Sequence, residues 1–270
     1  MRLLTYEFMQ RALVAAALIG LAAPAIGVFL VQRRLSLLGD GIGHVTMMGV
    51  GYGLLVGSSP LIWGMVAAVA GAILIEFLRE RGRVASDIAL ALIFYGGLAG
   101  GALLIFRAGA ANRAMSFLFG SVLAVKASDL LLLAVIAAVI LVTTFGLQRQ
   151  LFAVCYDEDV ARVSGLPVRW LNVLVALVAG LTIGMTMRVV GVLLVAAMLV
   201  LPVAAVQQVT TSFRATVFAS LALGCVVSIA GVIAAFYANV APGPMIVVCT
   251  IAVFAVASLV SRVRFGQVPA

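Results

Sequence analysis

The sequence predicts an all-α, polytopic membrane protein of about nine transmembrane helices. Three observations carry this expectation. Of its 270 residues 65% are hydrophobic and only 10% charged, whereas a soluble domain carries about 25% charged residues. That leaves too little polar surface to cover a globule in water. Apolar runs long enough to cross a bilayer recur along the whole chain. Between them arginines stand singly or in twos and threes, where they anchor helix ends at the membrane surface.

A helix needs about 20 apolar residues to span the hydrocarbon core. Runs of that kind lie roughly at 8–31, 38–57, 60–78, 87–106, 127–147, 169–187, 189–206, 215–237 and 245–261. The first has no lysine-rich start and no clear small-residue cleavage site, so it reads as a retained span. Pro24 and Pro202 fall inside spans and predict local kinks, because each removes a backbone hydrogen bond. Glycines spaced by four, namely Gly49, Gly53 and Gly57, then Gly96 with Gly100 or Gly97 with Gly101, predict close helix–helix approach in lipid. The segment 114–125, "AMSFLFGSVLAV", is apolar but too short to cross, and reads as a re-entrant or interfacial piece. Cys155, Cys225 and Cys249 are far apart and form no CxxC spacing, which fits small buried residues. No soluble domain or low-complexity tail is visible, and 1–270 reads as one membrane domain.

The formal net charge is +8. No basic face with interleaved aromatics accompanies it, which excludes a nucleic-acid binder. Charge also orients the chain. With nine spans and the first ending in the cytoplasm at Arg33 and Arg34, eleven of the seventeen basic residues fall inside. Besides those two they are Arg79, Arg81, Arg83, Arg149, Arg162, Arg169, Arg214, Arg262 and Arg264. Arg2, Arg11, Arg107, Arg113, Lys126 and Arg188 fall outside. The amino terminus is therefore expected outside and the carboxyl terminus inside.

The longest polar connection, "QRQLFAVCYDEDVARVSGLPVRW", runs from Gln148 to Trp170. Asp157 can cap a helix, and Glu158 and Asp159 suit its positive amino end. Gly165 and Pro167 then stop it. This predicts a helix of roughly two turns near 158–164. An ordinary solvated loop and a docking element for a cytosolic partner are both open for it.

The only histidine, His44, lies four residues after Asp40 in "LGDGIGHVTMMGVGYG". Positions i and i+4 share a helical face, and Met47 and Met48 continue it at i+7 and i+8. Ionisable groups inside a span are costly and face a cavity or a partner. Three readings fit the pair. Asp40 could cap the second helix, with His44 hydrogen-bonded in the bundle. The pair could relay protons in a proton-coupled secondary transporter. Or it could contact a divalent first-row metal ion, with water or other groups completing the shell. Enzymes fit poorly: one histidine allows no HExxH pattern, and no GxSxG elbow or P-loop is present.

At these residues a resemblance becomes specific. "RRLSLLGDGIGHVTMMGVGYGLL" resembles the signature of the metal-type permeases of ABC importers, the zinc and manganese uptake family, whose usual form is close to "SLMGDALSHAVLPGVALG". "FGSVLAVKASDL", "YDEDVARVSGLPVRWLN" and "VVGVLLVAAMLVLPVAA" are similar to further blocks in the same order, so the resemblance covers nearly the whole chain. It departs at Met48, where the family usually has proline, at "GIG" in place of "ALS", and in having no other histidine along the path.

The resemblance implies an ABC importer permease fold in a bacterial plasma membrane. It implies a homodimer bound to two cytosolic ATPase subunits, which carry ATP, and an extracellular metal-binding protein that delivers the ion. No cofactor would be held permanently. Asp40 and His44 would contact the passing ion, zinc first and manganese next, with Met47 and Met48 as candidate lining. A cytoplasmic coupling loop at about 149–168 would include Asp157, Glu158, Asp159, Ala161 and Gly165. Permeases for iron chelates or cobalamin are longer, usually with ten spans, and need a wider cavity.

Overall fold

The structure, a computed structural model, describes residues 6–80, 86–121, 127–187 and 189–265. Arg2, Arg81, Arg83, Lys126, Arg188 and residues 122–125 of the short apolar segment lie outside these. The described residues form α1 (Glu7–Gln32), α2 (Leu38–Val56), α3 (Pro60–Glu80), α4 (Ser86–Arg107), α5 (Ala111–Phe119), α6 (Ala127–Gly146), α7 (Gln148–Tyr156), α8 (Glu158–Val163), α9 (Val168–Thr186), α10 (Val195–Gln207), α11 (Phe213–Ala238) and α12 (Pro242–Phe265). A 3-10 turn at Val192–Leu194 precedes α10.

Seven of these helices, α1, α3, α4, α6, α9, α11 and α12, are each long and apolar enough to cross a bilayer. Two more complete the nine expected spans. The nineteen residues of α2 give it the length, but its glycines, Asp40 and His44 dilute its apolarity. The thirteen residues of α10 cover only about 20 Å. It reaches further through the 3-10 turn and the irregular stretch before it. Met187, Val189, Val190 and Val192 there are buried, which is the condition for non-helical backbone at membrane depth.

The alanine-rich α1 is the central post, with 72% of its spanning window buried against 17% for α12. It packs on α6, α9, α10 and α11. Small residues allow this: Gly20 of α1 and Gly224 of α11 meet backbone to backbone, and Pro24 lies over Gly224. Pro24 and Pro202 both sit within helices assigned without a break.

α2 lies between α3 and α4. Gly49 and Gly53 of α2 abut Trp63 and Pro60 of α3, while Gly97 and Gly101 of α4 abut α2 at Val45 and Met48. The four-residue glycine spacing is thus used for packing, with two differences. Gly57 is the left-handed C-cap of α2, with φ 71°, and Gly96 faces open space. The short apolar segment begins earlier than expected, as the nine-residue α5, which packs on the 3-10 turn and on α2.

Ion pairs gather the ends of α1, α3, α8 and α9 at one end of the bundle. Arg33 at the C-cap of α1 pairs with Glu158, and Glu80 at the end of α3 pairs with Arg169 at 2.9 Å. This is the parity that nine spans require, since α1 and α3 end on the side where α9 begins.

Candidate ion path and coupling surface

Leu37 holds the cap position before α2 and offers no capping side chain. Asp40 is therefore inside the first turn, not at the cap. One turn on, His44 is half-buried, its ring edge-on to Phe94 of α4 with centroids 4.2 Å apart. Its Nδ1 is buried and has no hydrogen-bond partner among the described residues. A buried polar atom without a partner costs free energy comparable to a lost hydrogen bond or more. The bundle does not satisfy this atom.

The row that continues from Asp40 and His44 at i+4 intervals is Met48 and Tyr52. Both are 41% exposed. Met48 lies over Gly100, and Tyr52 stands edge-on to Trp63 at 4.7 Å. This row is a strip of α2 that α3 and α4 cover only in part, with Asp40 and His44 half-buried and Met48 and Tyr52 more open. Met47 turns the other way. It is buried with Val50, Leu61, Ile105, Ala114, Met187 and Val192 in a separate apolar cluster. The face at i+7 and i+8 thus divides, with Met48 on the open strip and Met47 in the core. Met48, where the resemblance has proline, sits in an uninterrupted helix and fills the hollow over Gly100.

One neighbour of the strip was not legible in the sequence. The break between α9 and α10 runs behind α2, and a Cβ on Gly43 would come within 3.0 Å of the Val192 carbonyl oxygen. Irregular backbone and the Val192 carbonyl lie beside the one Asp–His pair in the chain. Gly191, with φ 89°, is the only local signal for it. No third carboxylate, thiol or imidazole joins Asp40 and His44 among the described residues.

At the ion-paired end the expected short helix forms as α8. Asp157 caps it, its Oδ1 accepting from the backbone N–H groups of Asp159 at 2.9 Å and Val160 at 3.0 Å. Gly165, at φ 82°, ends it. The side chain of Arg33 is only 5% exposed. It donates to Glu158 and, at 2.7 Å, to Oδ1 of Asn172, whose amide in turn donates to Glu158 at 3.2 Å. Ala161 is buried in the main core. Asp159 is the acid that points outward, paired only loosely with Arg162 at 3.7 Å. Beside this exposed ion pair stand three exposed apolar or aromatic side chains: Val163 is 91%, Tyr156 84% and Val160 61% exposed. Residue type alone did not single these three out. Beside them Cys155 contacts the Phe29 carbonyl, and burial pushes its thiol up to about 11 against the opposing pull of Arg33.

A bundle of apolar helices with irregular buried backbone beside a half-buried histidine, and a capped outer helix tied to its central post, has the architecture of a multi-pass membrane protein. Residues 5–261 match the family model described as the ABC 3 transport family, and the chain belongs to that family. It is 31% identical over 257 residues to the manganese transport system membrane protein MntC of Halalkalibacterium halodurans, covering 95% of this chain and 88% of that one. It is 30% identical to the chelated iron transport system membrane protein YfeD of Yersinia pestis, covering 96% and 87%. Among solved structures it resembles PsaBC from Streptococcus pneumoniae in complex with Fab, with TM-score 0.85, 30% identity and coverage of 95% and 92%.

Proposed function

We propose that this chain is the membrane-spanning subunit of an ATP-driven importer that passes a divalent first-row metal ion between two copies of itself. The observation that carries the reading is the strip Asp40–His44–Met48–Tyr52. A carboxylate and an imidazole on a partly open helix face are costly in lipid. A second copy laid over the strip would remove them from lipid and enclose a polar path. The imidazole of His44, whose Nδ1 is satisfied by none of the described residues, would then turn toward the path as a donor to the ion. With only two side-chain ligands binding is transient, as release into the cytoplasm requires.

The cargo is inferred from the donor set and the relatives. Nitrogen and oxygen donors suit manganese, iron and zinc alike. The manganese transport name of the Halalkalibacterium relative moves manganese ahead of zinc, which the sequence alone put first. The named iron-chelate relative supports iron as the second reading.

In this reading α8 is the coupling helix. The exposed apolar side chains Tyr156, Val160 and Val163, with Asp159 at their edge, would dock a cytosolic ATPase subunit. Asp157, Glu158, Ala161 and Gly165 would hold the helix in place. The end bearing α8 is then cytoplasmic, with the amino terminus outside. An extracellular metal-binding protein would deliver the ion to the opposite face.

The test is a complex reconstituted with its ATPase and binding protein, assayed across manganese, iron and zinc. Metal-stimulated ATP hydrolysis and isotope uptake for one of them are expected, with uptake falling on acidification because the ion needs a neutral imidazole. ATP-independent uptake driven by a proton gradient would instead establish a secondary transporter.

A further inference from the structure

The end of the bundle that carries α8 holds a cleft away from the ion path and next to the coupling surface, where Phe152 stacks on Tyr156. Its volume is about 650 Å³, and it lies between the α6–α7 junction and the start of α11. Two helix amino termini line it. Gln148 and Arg149 open α7, and Phe213 and Arg214 open α11. Helix amino termini are electropositive and normally carry acids in the first turn. Here neither first turn has an acid, and each carries an arginine instead. Arg149 and Arg214 are exposed and form no ion pair among the described residues. Ser212 caps one N–H of α11, at 3.2 Å from Ala215, but α7 has no side-chain cap. The side-chain amide nitrogen of Gln148 is buried and has no partner among the described residues. Two arginines, the amino terminus of α11 and an unused amide donor thus converge on a cleft whose lining includes no acid. The start of α7 follows the carboxyl end of α6 with only Leu147 between them and adds little positive field.

The apolar surroundings say which anion fits. Phe145 of α6 and Phe218 of α11 stack with centroids 5.7 Å apart, and Phe152 and Phe213 pack at 4.6 Å. One turn into the membrane from Phe145 and Arg214, Val142 is 72% and Phe218 61% exposed. The cleft therefore continues into the lipid-facing surface of two spans. A soluble phosphate would use only the polar end. A phospholipid would use both ends, with its phosphodiester at the arginines and its acyl chains along α6 and α11.

We infer that this cleft is a binding site for the headgroup of an anionic phospholipid, held by Arg149, Arg214 and Gln148. Basic groups at a membrane surface attract anionic lipid strongly enough that losing two lowers retention by roughly tenfold or more. The full-length protein, extracted from vesicles of equal phosphatidylglycerol and phosphatidylcholine, is examined by native mass spectrometry. The expected result is preferential retention of phosphatidylglycerol, lost by roughly tenfold in Arg149→Gln/Arg214→Gln and kept in Arg149→Lys/Arg214→Lys and in the distant Arg113→Gln. Equal retention of the two lipids by the wild-type protein would overturn the site, as would undiminished selectivity in the double glutamine variant. Displacement of the lipid by millimolar inorganic phosphate would show a free-anion site instead. In the assembled complex, crosslinking of a cysteine at Gln150 to the ATPase subunit with no lipid retained would make this a protein contact and end the lipid reading.

Discussion

Two polar clusters begin within a few residues of each other, at Arg33 and at Asp40, and end in opposite condition. Arg33 leaves the end of α1 and is closed in by Glu158 and Asn172, with the donors and acceptors of the three side chains meeting each other. Asp40 and His44 lie on a helix face that α3 and α4 cover only in part, and Nδ1 of His44 is left without a partner among the described residues. The first cluster has the form of a structural lock. The second has the form of a site whose partners come from elsewhere. The difference predicts that the two clusters respond oppositely to mutation, one in stability and the other in transport.

The largest effect is expected at the open cluster. His44→Ala and Asp40→Ala should each lower metal uptake by about 10- to 100-fold at unchanged membrane abundance. Equal abundance with undiminished uptake in both would remove the ion path from α2.

At the closed cluster the order reverses. Arg33→Ala leaves Glu158 and Asn172 without their shared donor and should cost about 2 kcal/mol of stability. Denaturant unfolding in micelles measures it. No loss would mean that the pair is as weak as a surface ion pair.

The packing beneath the open strip comes next. Gly97→Ala would drive a Cβ within 2.6 Å of the Val45 nitrogen, separating α4 from α2 beside His44 at a cost of about 1–2 kcal/mol. Its neighbour Gly96 has nothing within 4 Å, and Gly96→Ala should be neutral or stabilising by up to about 1 kcal/mol. Thermal unfolding of the two variants should separate them, and equal melting would refute the close approach.

Smaller still is Asp157→Ala, which removes the cap of α8 for about 1 kcal/mol. Faster amide exchange confined to Asp159 and Val160 is the expected signature. Finally, the thiol of Cys155, with its pKa raised to about 11, should alkylate slowly at pH 8. Its rate should climb about tenfold per pH unit until the thiolate predominates. A plateau near pH 9 would show a more open junction between α1 and α7.

Much of this architecture was legible because it depends on local or compositional physics. The nine apolar runs match helices, two of them only with the help of tertiary context. The α8 helix was readable to its cap because Asp157 acts on N–H groups two and three residues away. The break before α10 was hidden, since a buried irregular stretch needs the same apolar residues as a helix. Met47 and Met48 were equally eligible for the strip, and packing on opposite sides of α2 separated them. Ala161 looked like part of a docking surface and is buried, while Val160 and Val163 on either side face outward.

The sequence by itself determined that this chain lives in a membrane, where its spans lie, and that an aspartate and a histidine share one helical face. Hydropathy and helical spacing act over neighbouring residues, so they can be read without a fold. Only the tertiary structure decided that Arg33 meets a carboxylate 125 residues away, and that the strip bearing Asp40 and His44 is the one α3 and α4 cover only in part. Those outcomes depend on which small residues let which helices approach, a property of pairs of distant segments.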